Sequence, residues 1–310
     1  MVPVTFLMPV YNVEKYIAES IESLLAQTYS DFEILIINDG STDKTQSVID
    51  SYLEKDSRIK CITRENRGLI SSLNEGFEKI DSKYIARMDG DDLCHPQRLE
   101  FQMKFMEENP DVGLCGTNMR LFDKVSKDVN YPFTDGEIKA NIIFTPPFCH
   151  GAILFRKDVI DRYNLRYDAD FVDCEDYKLW LDLSDKVKFA NLPLILYFYR
   201  RHGKSVSDLS TCQKSGAQLI RRIAVSRLGL SETSVKFHLD YCAQRYENLH
   251  LEYWPVYLKE LISKGENYKK AGFGHFKVFC EIYLPKEHIE QFYNCVIEAV
   301  ENGELEETAI

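Results

Sequence analysis

Within the first 116 residues, short apolar runs alternate with segments of helical period, and this alternation narrows the available folds more than any other feature. Val4–Val10 predicts a buried strand. A helix over 14–27 follows, with Ile17, Ile21, Leu24 and Leu25 on one face. Glu33–Asn38 predicts a second strand, and 43–54 a helix whose start is signalled by Ser41, Thr42 and Asp43. Ile59–Thr63 is a third strand, followed by a helix over 68–80. Tyr84–Met88 is a fourth, and Pro96 suits the first turn of a helix running to Glu108. Val112–Gly116 continues the series. Such β-α alternation implies an α/β fold built on a mostly parallel sheet covered on both faces.

After Phe122 the pattern loosens, with a polar stretch at Asp123–Asp135 and a loop at Pro146-Pro147. A strand is expected over 150–156, a helix over 175–185 and two short strands over 187–200. Beyond about Ser207 the texture is helical; in Ile289–Val300, for example, Ile289, Phe292, Tyr293, Val296, Ile297 and Val300 form a stripe. The expected division is therefore a domain over 1–207 and a helical extension over 208–310. A chain of 310 residues can hold one large α/β domain and a smaller appendage.

Net charge is -11, which argues against a nucleic-acid partner bound by phosphate neutralisation. A phosphorylated ligand would then need a local cation. The nine cysteines are widely spaced, odd in number and without a CxxC, so neither a disulfide framework nor a zinc ribbon is indicated. The N-terminus lacks a basic n-region, and no run reaches the roughly 18 to 20 apolar residues of a membrane span. A cytoplasmic location is expected. A modest basic stretch (Lys214, Arg221, Arg222, Arg227) allows peripheral contact with an anionic membrane, although a solvated helical face explains it as well.

In open α/β sheets, ligands sit beyond the carboxyl ends of the strands. Three strand-end loops carry concentrated functional groups: Pro9-Val10-Tyr11-Asn12, Asn38-Asp39-Gly40-Ser41-Thr42-Asp43 and Asp89-Gly90-Asp91-Asp92. The last puts three carboxylates in four residues at the tip of an apolar strand. An acidic turn capping a helix explains such a cluster in part. A hard divalent cation bridging it to phosphates explains it too. Asp39 reads equally as an Asx turn or a ligand contact, and Tyr11 as packing or a stacking platform for a base. Asn66 and Arg67 flank Gly68 at the third strand-to-helix turn. Glu175-Asp176 opens a helix, where acids suit the macrodipole but also serve as a general base. Tyr199-Arg200-Arg201-His202-Gly203-Lys204-Ser205 supplies positive charge, either as a plain exposed loop or as a binder of diphosphate.

Taken in order, MPVYN, NDGSTD, NRGL, RMDGDD, CEDYKLWLDL and YRRHGKSVS resemble an inverting family 2 glycosyltransferase over residues 3–207. YIARMDGDD and EDYKLWLDLS are most similar to bacterial transferases that extend lipo-oligosaccharide, O-antigen or capsule chains. The resemblance implies a GT-A fold, Rossmann-like, and a UDP-sugar donor. Pro9, Tyr11 and Asp39 would contact base and ribose, with Asn66 and Arg67 nearby. Asp89 and Asp91 would form a DxD element that contacts ribose and coordinates Mn2+ or Mg2+, with Asp92 supporting it. Gly90 stands where Ala or Ser is more usual in the family. Asp176 would be the catalytic base and Glu175 its orienting neighbour. Arg200, His202 and Ser205 would meet the diphosphate, His202 near the metal.

The activity so implied is transfer of a hexose or N-acetylhexosamine to a glycan acceptor hydroxyl, giving a β-linkage. Cys149 and His150 are expected near the acceptor. A nucleotide-sugar hydrolase or nucleotidyltransferase would use the same metal-diphosphate grip, and a catalytically silent nucleotide-sugar-binding protein the same carboxylates. Neither sugar nor acceptor is named by the residues.

Overall fold

The computed structural model describes residues 2–202, 212–244, 253–283 and 286–302. β1 (Val4–Val10) is buried along its whole length, as a strand covered on both faces must be. It lies between β2 (Phe32–Asn38) and β4 (Tyr84–Arg87), and β2 also pairs with β3 (Ile59–Thr63); all three pairings are parallel. The crossovers are α1 (Ile17–Leu25), α2 (Thr45–Leu53) and α3 (Leu69–Lys79). Parallel neighbours need such returns, which is why the periodicity was so regular in this half.

Past β4 the sheet becomes mixed. A two-residue β5 (Leu93–Cys94) precedes α4 (Arg98–Glu108), β6 (Val112–Asp123) and β7 (Lys127–Val129). Then come α5 (Asp135–Asn141), β8 (Leu154–Arg156), α6 (Lys157–Arg162), α7 (Glu175–Leu183) and β9 (Lys188–Arg201). The sheet order is β3-β2-β1-β4-β8-β6-β9-β5, with β7 on β6. β8 is antiparallel to β4 and β6, β5 is antiparallel to β9, and β6 and β9 are parallel.

Three sequence expectations change here. Residues 150–156 are not one strand, because His150–Ala152 forms a 3-10 turn before β8. The two short strands expected over 187–200 are one long strand. Its pairing steps from Thr117↔Leu192 to Asn118↔Ile195, so Pro193 sits in a bulge where no ladder hydrogen bond is asked of it. Pro96 lies just before the helix cap Gln97 rather than in the first turn.

Alternate residues of β1 and β4 face different layers. Val4, Phe6, Met8, Val10, Tyr84, Ala86 and Met88 join the core that includes Ile17, Ile21 and Leu24 of α1 and Leu99 and Met103 of α4. On the opposite face Leu7 packs on α3 so closely that a Cβ at Gly76 would lie 2.2 Å from its Cδ1. Phe155, paired with Ile85, rests against Phe77 of α3 and Trp180 of α7 at ring separations of 5.5 and 5.8 Å. Arg87 therefore sits on the face covered by α3 and α7.

The chain divides into two units, and the boundary is not the single cut at 207. The first unit is Met1–Ile138 with Pro146–Gln213; the second is Lys139–Thr145 with Lys214–Ile310. Within the second unit the helices are α8 (Cys212–Ser226), α9 (Glu232–Cys242), α10 (Tyr253–Ser263), α11 (Glu266–Tyr283) and α12 (Lys286–Asn302). Trp254 centres its core, with Phe237, Tyr241, Phe276 and Phe279 rings within 5.4 Å. The segment 139–145 belongs there because its carbonyls are used there. Ile143 O accepts from His238 Nε2 at 2.8 Å and Phe144 O from Arg221 Nε at 2.8 Å, while the Phe144 ring stacks on His275. Arg221 thus turns inward, leaving Lys214, Arg222 and Arg227 exposed and the basic stretch without one of its members. Among the described residues no helix is long and apolar enough to cross a membrane.

Candidate active site

The register brings the strand ends to one edge. Val10 pairs with Asn38 and Asn38 with Thr63, while Leu7 pairs with Arg87, so the loops after β1, β2, β3 and β4 leave together. The first two loops are stitched to each other. Asn12, at φ 53°, accepts from Thr42 N through its side chain and donates from its own N–H to Ser41 Oγ. Asp43 accepts from Glu14 N and Thr45 N. Ser41 and Asp43 therefore fasten loops as well as open α2.

Asp39 is 4% exposed. Its carboxylate accepts from Arg67 N at 3.0 Å and Gly68 N at 2.8 Å, and pairs with Arg64. Gly68, at φ 87°, turns its N–H to that carboxylate in a conformation other residues rarely adopt. Asp39 thus organises the 64–68 turn, on which Asn66 and Arg67 are exposed. Tyr11 is 49% exposed above this edge, whereas Pro9 is buried within β1.

β5 explains how the DGDD loop meets the basic loop: pairing Leu93 with Phe198 and Cys94 with Tyr197 lays the cluster along the end of β9. Asp92, 1% exposed, accepts from Tyr197 Oη at 2.7 Å and from Arg200 N at 2.7 Å. Burial, then the charge of Asp91, pushes its carboxyl up to about 7. The Ser20 hydroxyl of α1 lies 3.0 Å from Gly90 O and 2.7 Å from Asp92 O, fixing the loop from below. A Cβ at Gly90 would stand 2.6 Å from Val10 Cγ1, so glycine is needed here unless Val10 moves. Arg200 donates to Asp91 O at 2.8 Å and pairs with Glu19 at 2.6 Å.

Asp91 meets His202 Nε2 at 3.0 Å, and the His202 ring stacks on Tyr16 at 4.9 Å. A carboxylate and an imidazole side by side fit a divalent cation that completes its shell from phosphate oxygens and water. Asp89 does not join them: Arg87 holds its carboxylate, and Tyr197 Oη lies 3.3 Å away. Among the described residues no three His, Cys, Asp or Glu side chains converge as a metal-ligand set, so the expected trio of Asp89, Asp91 and His202 is not preformed. The reason is the buried guanidinium, which claims Asp89 first. Ser205 lies outside the described residues.

Glu175 and Asp176 open α7 after Asp173, which holds φ 65°. Glu175 is 5% exposed. Burial, then the charge of Asp176, pushes its carboxyl up to about 7. Burial also raises Asp176, to about 6, against the pull of its hydrogen bond from Tyr177 N and of Arg87. With both carboxyls raised toward neutrality, Asp176 is largely ionised at pH 7 yet able to take a proton, which suits a general base. His150, expected near the acceptor, meets Tyr167 Oη at 2.9 Å and is held neutral by burial and by Arg87; Cys149 is buried.

Sequence reasoning missed Arg87, Arg64, Ser20 and Tyr197. Only Arg87 left a trace: a charge inside the apolar strand YIARM must find a carboxylate, since buried arginines are rarely unpaired. The others act across 25 to 105 positions of sequence, and nothing local marks them.

Residues 5–163 match the family model described as glycosyl transferase family 2. The chain is 37% identical over 209 residues to the O-antigen biosynthesis glycosyltransferase WbnJ of Escherichia coli, covering 65% of this chain and 81% of the relative. It is 34% identical over 218 residues to an uncharacterized glycosyltransferase of Haemophilus influenzae, covering 66% and 68%. Among solved structures, S. aureus TarS 1–349 in complex with UDP-GlcNAc aligns with a TM-score of 0.63 at 18% identity, over 97% of this chain and 92% of that one. The mannosyltransferase PcManGT from Pyrobaculum calidifontis, in complex with GDP-Man and Mn2+, aligns at 0.59 and 16% identity, over 99% and 88%. With its GT-A fold and these matches, the chain belongs to glycosyltransferase family 2.

Proposed function

We propose that the chain is an inverting hexosyltransferase or N-acetylhexosaminyltransferase that uses a UDP-sugar and extends a bacterial surface glycan from the cytoplasmic side. The observation that carries this reading is the pair Glu175-Asp176 at the start of α7, Glu175 buried and Asp176 half-buried, with both carboxyls raised toward neutrality. Similarity to an O-antigen transferase supports the glycan acceptor, and the fold shared with a UDP-GlcNAc complex supports the donor.

In this reading Asp176 takes the acceptor hydroxyl proton while that oxygen bonds to the anomeric carbon. The bond from that carbon to the diphosphate oxygen breaks, and UDP leaves from the opposite face. Glu175, protonated, keeps Asp176 in place. Asp39 shapes the turn carrying Asn66 and Arg67 beside the base, while Tyr11 offers a stacking face. Asp89 contacts the ribose, and Gly90 lets the backbone pass close to Val10. Asp91 and His202 would hold Mn2+ or Mg2+, which supplies charge neutralisation for the departing diphosphate. Arg200 and Ser205 would contact the departing diphosphate. Holding both substrates in line contributes much of the remaining acceleration.

The test is a panel of UDP-sugars assayed for UDP release, with Mn2+, Mg2+ or EDTA, with and without glycan acceptors. A β-linked product, loss of turnover in EDTA, and inactive Asp176→Asn that still binds UDP are expected. Normal turnover by Asp176→Asn, or free sugar released at the same rate whatever the acceptor, would sink the reading.

A further inference from the structure

Tyr16 occupies the N-cap of α1, and its side chain makes no capping hydrogen bond. Ser, Thr, Asp or Asn would serve the helix better there, so α1 itself gains nothing from a phenol at this position. The backbone holds the ring where it stands: Tyr16 N donates to Val13 O at 2.9 Å, and Tyr16 O accepts from Ser20 N at 3.1 Å. Ser20 is also the residue whose hydroxyl lies 2.7 Å from Asp92 O, so the first turn of α1 carries the ring and the DGDD loop together. Two side chains from the end of β9 use that ring. The His202 imidazole stacks on it at 4.9 Å with 20° between the planes, and the Arg200 guanidinium carbon lies over it at 5.0 Å. The Phe122 ring of β6 stands 4.6 Å from the same guanidinium, so Arg200 has two aromatic neighbours. Both side chains are only 10% exposed, although they stand at the open end of the strand.

We infer that Tyr16 is a positioning residue for the metal-diphosphate end of the reaction: its ring fixes the plane of His202 beside Asp91 and the place of Arg200 before the donor arrives. This rests on the reading of Asp91 and His202 as the pair that holds Mn2+ or Mg2+. One carboxylate and one imidazole make a small ligand set, so affinity for the cation depends on how well the two are set in advance. Groups that orient a metal ligand change affinity by about tenfold or more when removed. Stacking and cation–π contact need the ring and not its hydroxyl, so the two parts of Tyr16 are separable.

The experiment compares Tyr16→Phe, which keeps the ring, with Tyr16→Asn, which removes it but suits an N-cap, both in the full chain with His202→Ala alongside. Mn2+ is titrated into the UDP-bound chain and followed by the electron paramagnetic resonance signal of the free ion; melting temperature is recorded for each variant. For Tyr16→Asn the Mn2+ dissociation constant is expected to rise about tenfold, while the melting temperature holds or rises. Tyr16→Phe is expected to match the parent in both. If Tyr16→Asn does not fold, Tyr16→Leu carries the test. An equal loss of Mn2+ affinity in Tyr16→Phe, or a loss that comes only with a fall in melting temperature, would overturn the inference. Parent-like Mn2+ affinity in Tyr16→Asn beside weakened His202→Ala removes this inference alone; parent-like affinity in His202→Ala removes the metal pair beneath it.

Discussion

Lowering the pH should switch the enzyme off through Asp176, and the structure sets where. Burial raises this carboxyl from 3.8 to about 6, which at about 1.4 kcal/mol per unit withholds about 3 kcal/mol from the charged form. A base works only when ionised. The ionised fraction is about 0.9 at pH 7, half at pH 6 and about a tenth at pH 5, so kcat should fall close to tenfold per unit below 6. Glu175, raised to about 7, is protonated while Asp176 titrates. Glu175→Gln copies that neutral form, so it should keep the same acid limb and kcat within about tenfold of the parent. The assay is kcat at saturating donor from pH 5 to 8. UDP binding with Mn2+ is measured at each pH, so that loss of donor is not mistaken for loss of base. A flat profile down to pH 5, or an inactive Glu175→Gln beside an active Asp176→Asn, would refute the assignment.

Tyr197→Phe removes one of the two hydrogen bonds recorded on the Asp92 carboxylate; a loss of about 1.5–3 kcal/mol in denaturant unfolding is expected, and an unchanged midpoint would contradict it. Gly90→Ala drives a methyl into Val10 and should cost about 1–3 kcal/mol with reduced turnover; paired with Val10→Ala it should recover. Asp92, Glu175 and Asp176 all have folded values above their unfolded ones, so each stabilises the fold most below about pH 4 and loses that contribution as pH rises through 6 to 7. Neutralising all three as Asn or Gln should therefore weaken the rise in melting temperature between pH 8 and pH 5.5; an identical rise would count against the shifts.

The parallel half of the sheet was legible because a buried strand and its crossover helix each leave a period in the residues, as Val4–Val10 and Ile17–Leu25 do. The DGDD segment stood out because carboxylates at the end of an apolar strand are costly without a partner, and the ED pair because it opens a segment of helical period. What could not be read depends on register. Tyr197 reaches Asp92 only because a two-residue strand pairs with β9, and Leu93-Cys94 is too short to carry a pattern. Arg64 reaches Asp39 because β2 and β3 end level. The pairing of Asp89 with Arg87 could not be read either, since side-chain competition for one carboxylate has no signature in spacing.

The visit of residues 139–145 to the helical unit has a consequence for how the chain is made. Ile143 and Phe144 leave the ribosome well before His238 and His275, the side chains that will receive them. At roughly 5–20 residues per second the wait is on the order of ten seconds. Even after β9 has completed the sheet, an Ile-Ile-Phe run still waits for the helices that will cover it. Deleting the last hundred residues would make that interval permanent, so the catalytic unit is not separable by a simple truncation. Any exchange of the helical unit between relatives would have to move two pieces of chain together.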